Sequence, residues 1–392
     1  MESIKKRVSE ETVKGFRDYT GIEALKRQKI KGILADIFKS YGFELAETPV
    51  IEAEEFVRGE NANDEAVSDV FKLEDKGKRR LALRYEFTFQ LKRIANNKKL
   101  PYKRFQIGEV FRDEPTSANR FRQITQCDID IVGSSLKDEA EILAIAKQVL
   151  EVLGIEFVIY VNNRKLINEI LEKEGVKKEN KLEVIREIDK LDKLPEAEVK
   201  NSLKKYGAEK VLEIFKKPEK YFEKYESFNE IKELNKFCLL YGVRTVFQPS
   251  LARGLSYYNG TIMEIKTKEM KESISGGGSF MINDIQSTGI SFGIERLAQL
   301  AKLRVEEKKA LIISLGEDKK AIELAENLRE NNISCSILYG KISKALEYAN
   351  SYGISNVIFI GNEEVKKKKF KLKDMKTGKE ELLAEKELLK KL

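Results

Sequence analysis

Two arginines frame a turn, and three polar side chains follow them on one strand. Arg112 and Arg120 flank the segment PTSAN, whose residue types favour turns. In the run QCDIDIV, Gln126, Asp128 and Asp130 alternate with apolar residues and therefore share one face of a strand. Guanidinium groups bind phosphate oxygens in pairs, and the polar face offers hydrogen-bond acceptors. The segment predicts a site for a phosphate and a small polar ligand.

Two further arginines lie beside glycines. Arg253 in LARGLSYY and Arg296 in FGIERL lie in or next to apolar sequence. A lone arginine of this sort is most often a surface ion-pair partner, whereas four of them beside turns or glycines favour a phosphate-binding set. The residues Gly276, Gly277 and Gly278 in SGGGS predict a loop, either a flexible turn or a close approach of backbone to a ligand. Because neither GxxxxGK(S/T) nor GxGxxG occurs, a P-loop or Rossmann site is disfavoured.

Acceptors for a ligand with two N–H donors lie in three separate segments. Glu86 in LRYEFT and the pair Tyr257 and Tyr258 fit ordinary core or surface roles taken singly. A ligand of that kind nevertheless needs acceptors such as Glu86, Gln126 and Asp130.

The chain of 392 residues contains no histidine, which removes Ser-His-Asp and Cys-His hydrolases, HExxH metalloproteases and most zinc enzymes. Chemistry is left to Arg, carboxylates, Tyr or a metal held by oxygen ligands. The 73 basic and 65 acidic residues give a net charge of +8, which fits solubility and a polyanionic partner about equally. Cys127, Cys238 and Cys335 are far apart in sequence, so reducing cytosol is favoured over a disulfide framework. The chain shows neither a signal-peptide pattern nor the roughly 18 apolar residues of a membrane span, which predicts a cytoplasmic protein.

Apolar spacing and turn residues predict an α+β protein of two or three domains. Glu23 to Phe43 has helical spacing, and TPVIEAEEF around Pro49 reads as extended. Asp69 to Arg84 predicts a hairpin, and FTFQLKRIANNKK a helix that ends at Pro101. YKRFQIGEVFRDE and FRQITQCDIDIVG predict paired strands, and DEAEILAIAKQVLEVLG a covering helix. The result is an antiparallel sheet with helices on it.

The sequence pattern changes at about residue 166 and again at about residue 305. Residues 166–238 are charged and helix-periodic, which predicts a helical insertion between core segments 1–165 and 239–304. In the second core segment, VRTVF and YYNGTIMEIKT predict strands and GIERLAQLAKL a short helix. Residues 305–392 alternate as β-α-β-α-β, which predicts a separate α/β domain with a largely parallel sheet.

Taken together, the motifs resemble the histidyl-tRNA synthetase family of class II aminoacyl-tRNA synthetases. LALRYEFT, FRDEPTSANRFRQITQCDIDIVG, LARGLSYYNG, SISGGGS and FGIERL match the family's signature segments in its order. QCDIDIVG resembles the archaeal and eukaryotic branch. Pro49 falls at motif 1, which forms the dimer, Arg112 to Gln126 at motif 2 and Gly293 to Leu297 at motif 3. The resemblance implies a class II antiparallel catalytic core, a helical insertion and a C-terminal α/β anticodon-binding domain.

The same resemblance implies a two-step reaction with ATP and Mg²⁺, in which L-histidine becomes histidyl-adenylate and then passes to the 3′ end of histidine tRNA. Arg253 and Arg112 would be catalytic and contact the α-phosphate, while Arg120 and Arg296 grip the terminal phosphates and Glu114 positions the adenine. In-line attack on phosphorus needs positioning and charge neutralisation more than a base, so a site without histidine is no obstacle. The ligands of Mg²⁺ stay unknown.

By resemblance, the histidine-binding set surrounds the amino group, the carboxylate and the imidazole of the substrate. Its members are Glu86, Thr88, Gln126, Asp130, Arg253, Tyr257 and Tyr258. The family also implies a homodimer in the cytoplasm. Lys366 to Lys369 in the C-terminal domain fit either phosphate contacts or a solvated loop.

Three positions depart from the family pattern. Ser256 stands where the family usually has Asp, and Ile124 stands where an aromatic residue often stacks on adenine. Ser279-Phe280 stands where many members have Arg-Tyr. We expect these changes to affect the tuning of affinity and not the reaction class. Two alternatives stay open: a non-catalytic paralogue that regulates a histidine-biosynthesis enzyme and lacks the C-terminal domain, and an RNA-binding module with an inactive site. Two explanations fit the absence of histidine. Synthesis of the protein is freed from dependence on its own product, or codon bias disfavours histidine.

Overall fold

The computed structural model describes residues 10–59, 69–117, 120–252, 257–305 and 309–392. They form two compact units, Met1–Leu303 and Arg304–Leu392. None of the helices in these described ranges is long and apolar enough to cross a membrane. The predicted residues Arg253 and Ser256 lie outside the described residues.

Two sheets organise the described part of the first unit. Its strands are β1 (Glu44–Leu45), β2 (Ile51–Ala53), β3 (Lys72–Glu74), β4 (Arg80–Leu83), β5 (Tyr102–Phe111), β6 (Gln123–Val132), β7 (Val158–Asn163), β8 (Thr245–Phe247), β9 (Tyr258–Thr267), β10 (Met270–Ile282) and β11 (Ile285–Gly293). The large sheet has the order β1-β5-β6-β11-β10-β9-β7-β8, and β2-β4-β3 form a small one. The pairs from β5 to β7 are antiparallel, whereas β1 and β8 add parallel edges. The α+β class with an antiparallel-rich core is confirmed.

The helices of the first unit cover the large sheet or follow one another in the segment before β8. They are α1 (Gly21–Ser40), α2 (Glu54–Arg58), α3 (Leu91–Ile94), α4 (Leu136–Val152), α5 (Arg164–Lys173), α6 (Lys181–Asp189), α7 (Glu196–Lys204), α8 (Val211–Phe215), α9 (Phe228–Leu240) and α10 (Ile294–Leu300), with short 3₁₀ turns at Lys178–Asn180, Lys190–Asp192 and Glu219–Lys224. Helices α5 to α9 share one apolar core with the sheet and with α1 and α4. The limits of a separate helical insertion stay a prediction.

The two faces of β6 explain why this sheet carries a site. Cys127, Ile129 and Ile131 are fully buried on one face and pack against α1 residues such as Ile30 and Leu34. This apolar alternation is the ordinary pattern of a strand under a helix. The other face, which carries Gln126, Asp128 and Asp130, is therefore turned away from α1, as the alternation predicted.

Three local predictions need correction. The run after Pro49 is extended only to Ala53, because Glu54–Arg58 forms α2 with acidic residues in its first turn. The helix predicted before Pro101 is limited to Leu91–Ile94, and its apolar residues pack in a small separate cluster. SGGGS is not a loop: it lies inside β10, paired with β11 on one side and β9 on the other.

The second unit has the predicted alternation. Its elements are β12 (Lys309–Ser314), α11 (Asp318–Glu330), β13 (Ser334–Tyr339), α12 (Ile342–Ser351), β14 (Asn356–Ile360), α13 (Asn362–Lys367), β15 (Phe370–Asp374), β16 (Glu380–Leu383) and α14 (Glu385–Lys391). Strands β13, β12 and β14 are parallel, and β15 and β16 extend the sheet antiparallel. The four lysines from Lys366 are exposed at the end of α13 and just after it, and so are not simply a loop.

Candidate active site

Polar residues from three neighbouring strands meet on the face of the large sheet that α1 does not cover. The register pairs Arg104 of β5 with Asp130 of β6, and Gln106 with Asp128. On the other side of β6, Ser291 of β11 pairs with Asp128. Since directly opposed residues point to the same side of a sheet, these side chains form one layer. We name it the polar floor: Arg104, Gln106, Gln126, Asp128, Asp130 and Ser291.

A hydrogen-bond chain fixes the centre of the polar floor. The Gln126 Nε2 group donates to Ser291 Oγ at 2.7 Å, and Ser291 Oγ donates to Asp128 Oδ1 at 2.5 Å. The Gln126 Oε1 atom is buried and has no hydrogen-bond partner in the described residues. Because buried polar atoms are nearly always paired, an acceptor held in this way is suited to a ligand donor.

Arg104 and Asp130 form the buried end of the polar floor. Arg104 is fully buried, and its Nη2 atom lies 2.7 Å from Asp130 Oδ2. The same Nη2 group donates to the carbonyl oxygen of Phe87 at 3.0 Å. The Asp130 carboxylate extends over Gly289 of β11, where an added Cβ atom would lie 2.1 Å from Asp130 Oδ1. Gly289 therefore leaves the space that this carboxylate occupies.

Three buried carboxyl groups interact in the site. Burial raises the pKa of Glu86 to about 7, against the opposing effect of the Arg112 guanidinium. Burial also raises the pKa of Asp128 to about 7, helped by the charge of Asp130. The pKa of Asp130 is raised by burial as well, while Arg104 acts to lower it. A cationic ligand placed among these groups would favour their ionised forms.

A tyrosine pair closes the site beside Glu86. The Tyr257 hydroxyl donates to Glu86 Oε2 at 3.4 Å, and the rings of Tyr257 and Tyr258 lie 4.8 Å apart. Gly278 has a φ of +156°, and a Cβ atom there would lie 2.4 Å from the Thr261 carbonyl oxygen and about 3 Å from the Tyr258 ring. The glycine run thus permits a close approach between β10 and this ring.

Thr88, Ile124 and Ser279 are also placed. Thr88 is half-buried in the turn that leads into α3, where its carbonyl oxygen accepts from the backbone N–H of Leu91 at 3.0 Å. Ile124 is half-buried on the same face of β6 as Gln126. Ser279 is buried and donates to Glu139 Oε1 at 2.5 Å. A Ser–Glu hydrogen bond therefore occupies the place where the family pattern has an arginine.

The predicted phosphate-binding arginines lie at the ends of these strands. Arg112 follows β5 and donates from Nε to the Tyr85 carbonyl oxygen at 3.2 Å, so it lies next to Glu86. Arg120 forms an ion pair with Glu114 and is about half exposed. Arg296, on α10, donates from Nη1 to the Ser273 carbonyl oxygen at 2.6 Å.

The helix that carries Arg296 is fixed to the opposite face of the sheet by its neighbour Glu295. The Glu295 carboxylate accepts from the backbone N–H of Thr125 at 3.0 Å and from Arg27 Nη2 at 2.9 Å. Arg27 also donates to Thr125 Oγ1 at 2.8 Å and lies 3.8 Å from the ring centroid of Tyr19. This network joins α1, β6 and α10 beneath the site, beside a cavity of about 220 Å³.

Sequence reasoning missed part of the site. It gave no role to Arg104, Gln106 or Ser291, and it noted Asp128 on the polar face without assigning it. A signal was present, because Arg104, Gln106 and Gly108 alternate in KRFQIGEVF as the residues of one strand face do. A cleft of about 740 Å³ was also not foreseen; it is lined by Tyr258 together with residues of α5, α6 and the turn between them.

Known families match both units. A family model described as histidyl-tRNA synthetase matches residues 15–297, and one described as an anticodon binding domain matches residues 309–392. Histidine–tRNA ligase 1 of Bacillus cereus is 33% identical over 408 residues, covering 94% of this chain and 96% of that protein. The histidine–tRNA ligase of Helicobacter pylori is 32% identical over 422 residues, covering 95% of each. These relatives are bacterial and do not support the archaeal or eukaryotic branch that QCDIDIVG predicted.

Solved structures give the same fold. Histidyl-tRNA synthetase from Nostoc sp. PCC 7120 matches with a TM-score of 0.83 at 25% identity, covering 98% of this chain and all of that one. A Bacillus halodurans protein described as an ATP phosphoribosyltransferase regulatory subunit/histidyl-tRNA synthetase matches with a TM-score of 0.78 at 19% identity, covering 91% and 99%. At that identity the second likeness shows the fold alone.

Proposed function

The chain belongs to the histidyl-tRNA synthetase family, and from this premise we infer that it is a histidine–tRNA ligase. It uses ATP to convert L-histidine into histidyl-adenylate with release of pyrophosphate, and then transfers the histidyl group to the 3′ end of histidine tRNA. The observation that carries this conclusion is the layer of fixed acceptors on the polar floor, beside an arginine that lies next to Glu86.

We propose that this layer selects histidine by its N–H groups. Gln126 Oε1, Glu86 and Asp130 are acceptors on neighbouring elements, and the first has no partner in the described residues. A substrate with an ammonium group and an imidazole supplies donors for them. An apolar side chain of similar size would leave the acceptors unpaired, which is how a hydrogen-bonding site rejects near-isosteres. Thr88, Tyr257 and Tyr258 complete the proposed pocket.

We propose that Arg112 and Arg253 neutralise the charge that develops at the α-phosphate. Arg112 is held by the Tyr85 carbonyl oxygen and is therefore positioned before substrate arrives. Glu114 would position the adenine, and Arg120 and Arg296 would bind the terminal phosphates. For that role Arg120 must leave Glu114, and because Arg120 is half exposed, breaking the pair costs only about 0–1 kcal/mol.

Magnesium enters the proposal with ATP. Within the described ranges, no three Asp, Glu or Cys side chains gather into a group that could hold a metal ion. A Mg²⁺ ion bound to ATP takes most of its ligands from phosphates and water and needs only one or two carboxylates. It would supply charge neutralisation at the phosphates, and the role of each side chain above stands without it.

Assembly and location are proposed in the same way. Leu45, Val50 and Ile51 expose 53%, 40% and 50% of their surfaces around Pro49, and such an apolar patch supports the homodimer that motif 1 implies. The exposed lysines from Lys366 support contacts of the C-terminal unit with tRNA phosphates. We propose a cytoplasmic enzyme.

The rival function is that of a regulatory paralogue. The Bacillus halodurans protein shares the fold, and the fold alone does not distinguish the two functions. The identity of 32–33% to histidine–tRNA ligases over 94–95% of this chain favours the ligase, since the Bacillus halodurans protein matches at only 19% identity.

The test is amino-acid-dependent exchange of pyrophosphate into ATP, followed by charging of histidine tRNA. We expect exchange with histidine alone among the amino acids, and a loss of about 10²- to 10³-fold in Arg112→Gln. Arg79→Gln, at an exposed hairpin arginine, is the matched control and should exchange as the wild type does. Tight binding of tRNA or a protein partner without exchange for any amino acid would contradict the ligase.

A further inference from the structure

Arg104 is the one guanidinium among the described residues that is fully buried. It lies on β5 directly opposite Asp130, on the face that carries the proposed histidine acceptors. Its Nε and Nη1 atoms have no hydrogen-bond partner in the described residues. A buried arginine that only supports the fold is expected to have its donors paired. Arg104 instead directs one nitrogen to Asp130 and Phe87 and leaves two unpaired.

The surroundings of Asp130 explain what this contact does. Its carboxylate is bounded by Arg104 on one neighbouring strand, 2.7 Å from Oδ2, and by Gly289 on the other, where no side chain interferes. Since Nη2 donates to the Phe87 carbonyl oxygen, the guanidinium is fixed beside the carboxylate, whose Oδ2 atom accepts no hydrogen bond in the described residues and is left for a ligand donor.

We propose that Arg104 is a positioning residue for substrate selection, which holds Asp130 as an ionised carboxylate oriented to accept the imidazole N–H of histidine. This inference rests on the proposed function of the site. Arg104 acts through Asp130 and does not itself touch the reacting atoms.

The charge state of Asp130 follows from the groups around it. Tyr102 and Arg104 face the layer from β5, Asp128 from β6, and Glu86 and Tyr257 from the adjoining segments, while β11 contributes the neutral residues Gly289 and Ser291. Burial favours a neutral Asp130, and Arg104 is the cation at ion-pair distance that opposes this effect. Without that cation the neutral form is favoured more strongly, and a protonated carboxyl group donates where it should accept.

The test compares three variants in histidine-dependent pyrophosphate exchange between pH 6.5 and 8.5. Arg104→Met removes the charge at similar volume, Arg104→Lys keeps it, and Arg104→Met combined with Asp130→Asn removes both charges. Each KM is divided by the wild-type value at the same pH, so the titration of histidine itself cancels.

We expect Arg104→Met to raise the KM for histidine roughly 10- to 100-fold at pH 7, as for the loss of a hydrogen bond to a charged group. The ratio should fall as the pH rises, because a higher pH favours the ionised form of Asp130, while the KM for ATP stays within about twofold. Arg104→Lys should restore a flat pH profile. The double variant should have a high KM for histidine that does not change with pH.

Several results would overturn the inference. One is an equal, pH-independent rise in the KM for histidine and for ATP in Arg104→Met, which indicates a structural role. Another is a wild-type KM for histidine in the double variant. If Arg104→Met does not fold, the other two variants decide. Loss of the flat pH profile in Arg104→Lys, or a wild-type KM for histidine in the double variant, would then overturn the inference. Absence of exchange in the wild type would instead refute the proposed function, and the inference with it.

Discussion

Replacing Glu86 by Gln should stabilise the fold above neutral pH while it impairs histidine binding. Burial raises the pKa of Glu86 to about 7 from its ordinary value of 4.5. Between these two values the unfolded chain binds fewer protons than the folded one, so stability falls as the pH rises. The stability that the protonated Glu86 contributes is fully present below pH 4.5 and is lost as the pH rises through 7. Gln cannot ionise, but its amide oxygen can still accept from the Tyr257 hydroxyl.

The magnitude follows from the two pKa values. At pH 5 the shift costs the wild type about 0.8 kcal/mol, and at pH 8 about 3.3 kcal/mol, by integrating the linkage relation. The difference in free energy of unfolding between Glu86→Gln and wild type should therefore become more favourable to the variant by about 2.5 kcal/mol from pH 5 to pH 8. Asp128 is coupled to Glu86, which makes this an upper value.

The assay is urea unfolding at the two pH values, followed by circular dichroism because the chain has no tryptophan. The chain has two compact units, so two transitions are fitted and that of the first unit is compared. Glu55→Gln, at an exposed carboxylate on α2, is the control and should show no such pH dependence. A Glu86→Gln variant that loses the same stability at both pH values would refute the reasoning.

Three further predictions concern the same unit. Glu295→Ala should lower the free energy of unfolding by about 3–5 kcal/mol, since it leaves Arg27 buried without its ion-pair partner. Glu295→Gln should lose less, and equal losses in urea unfolding would contradict this. Gly278→Ala should raise the KM for histidine in the exchange assay, because its Cβ would press on the Tyr258 ring and the Thr261 carbonyl oxygen; an unchanged KM would argue against that close approach. Histidine binding at pH 7 should release a fraction of a proton as its ammonium group ionises Glu86; calorimetry in two buffers of different ionisation enthalpy measures it, and Glu86→Gln should reduce the release.

The sequence predicted those parts of the molecule that depend on local pattern. The alternation in QCDIDIVG placed Gln126 and Asp130 on one face, and the β-α-β-α-β order of the second unit is confirmed. The glycine run was assigned to a loop because glycine is the residue of turns; in the fold it lies in a strand where neighbouring backbone and Tyr258 come too close for a side chain. That requirement comes from β9 and β11, which lie outside any local window.

The missed residues share a cause. Arg104 reads as one more charged residue in a chain with 73 basic residues, and only the strand register shows that it is buried opposite Asp130. Ser291 is likewise ordinary in sequence and becomes informative because it bridges Gln126 and Asp128. Cross-strand register depends on the whole sheet, so a single strand's pattern could suggest the polar face but not its partners.

The two faces of β6 show how function departs from stability within one strand. On the side of α1, Cys127, Ile129 and Ile131 are buried among apolar residues, which is the arrangement that stability favours. On the other side, Asp128 and Asp130 are acids whose pKa values are raised by burial. Apolar residues of the same shape could be buried there without that cost. Arg104 and Ser291 are their partners within the sheet, and the proposed substrate would supply further donors through its ammonium group and imidazole. If Asp128→Asn raises stability at pH 8 while weakening exchange with histidine, this face is a binding surface that lowers the stability of the fold. A loss of stability at pH 8 would show instead that the ionised acid supports the sheet.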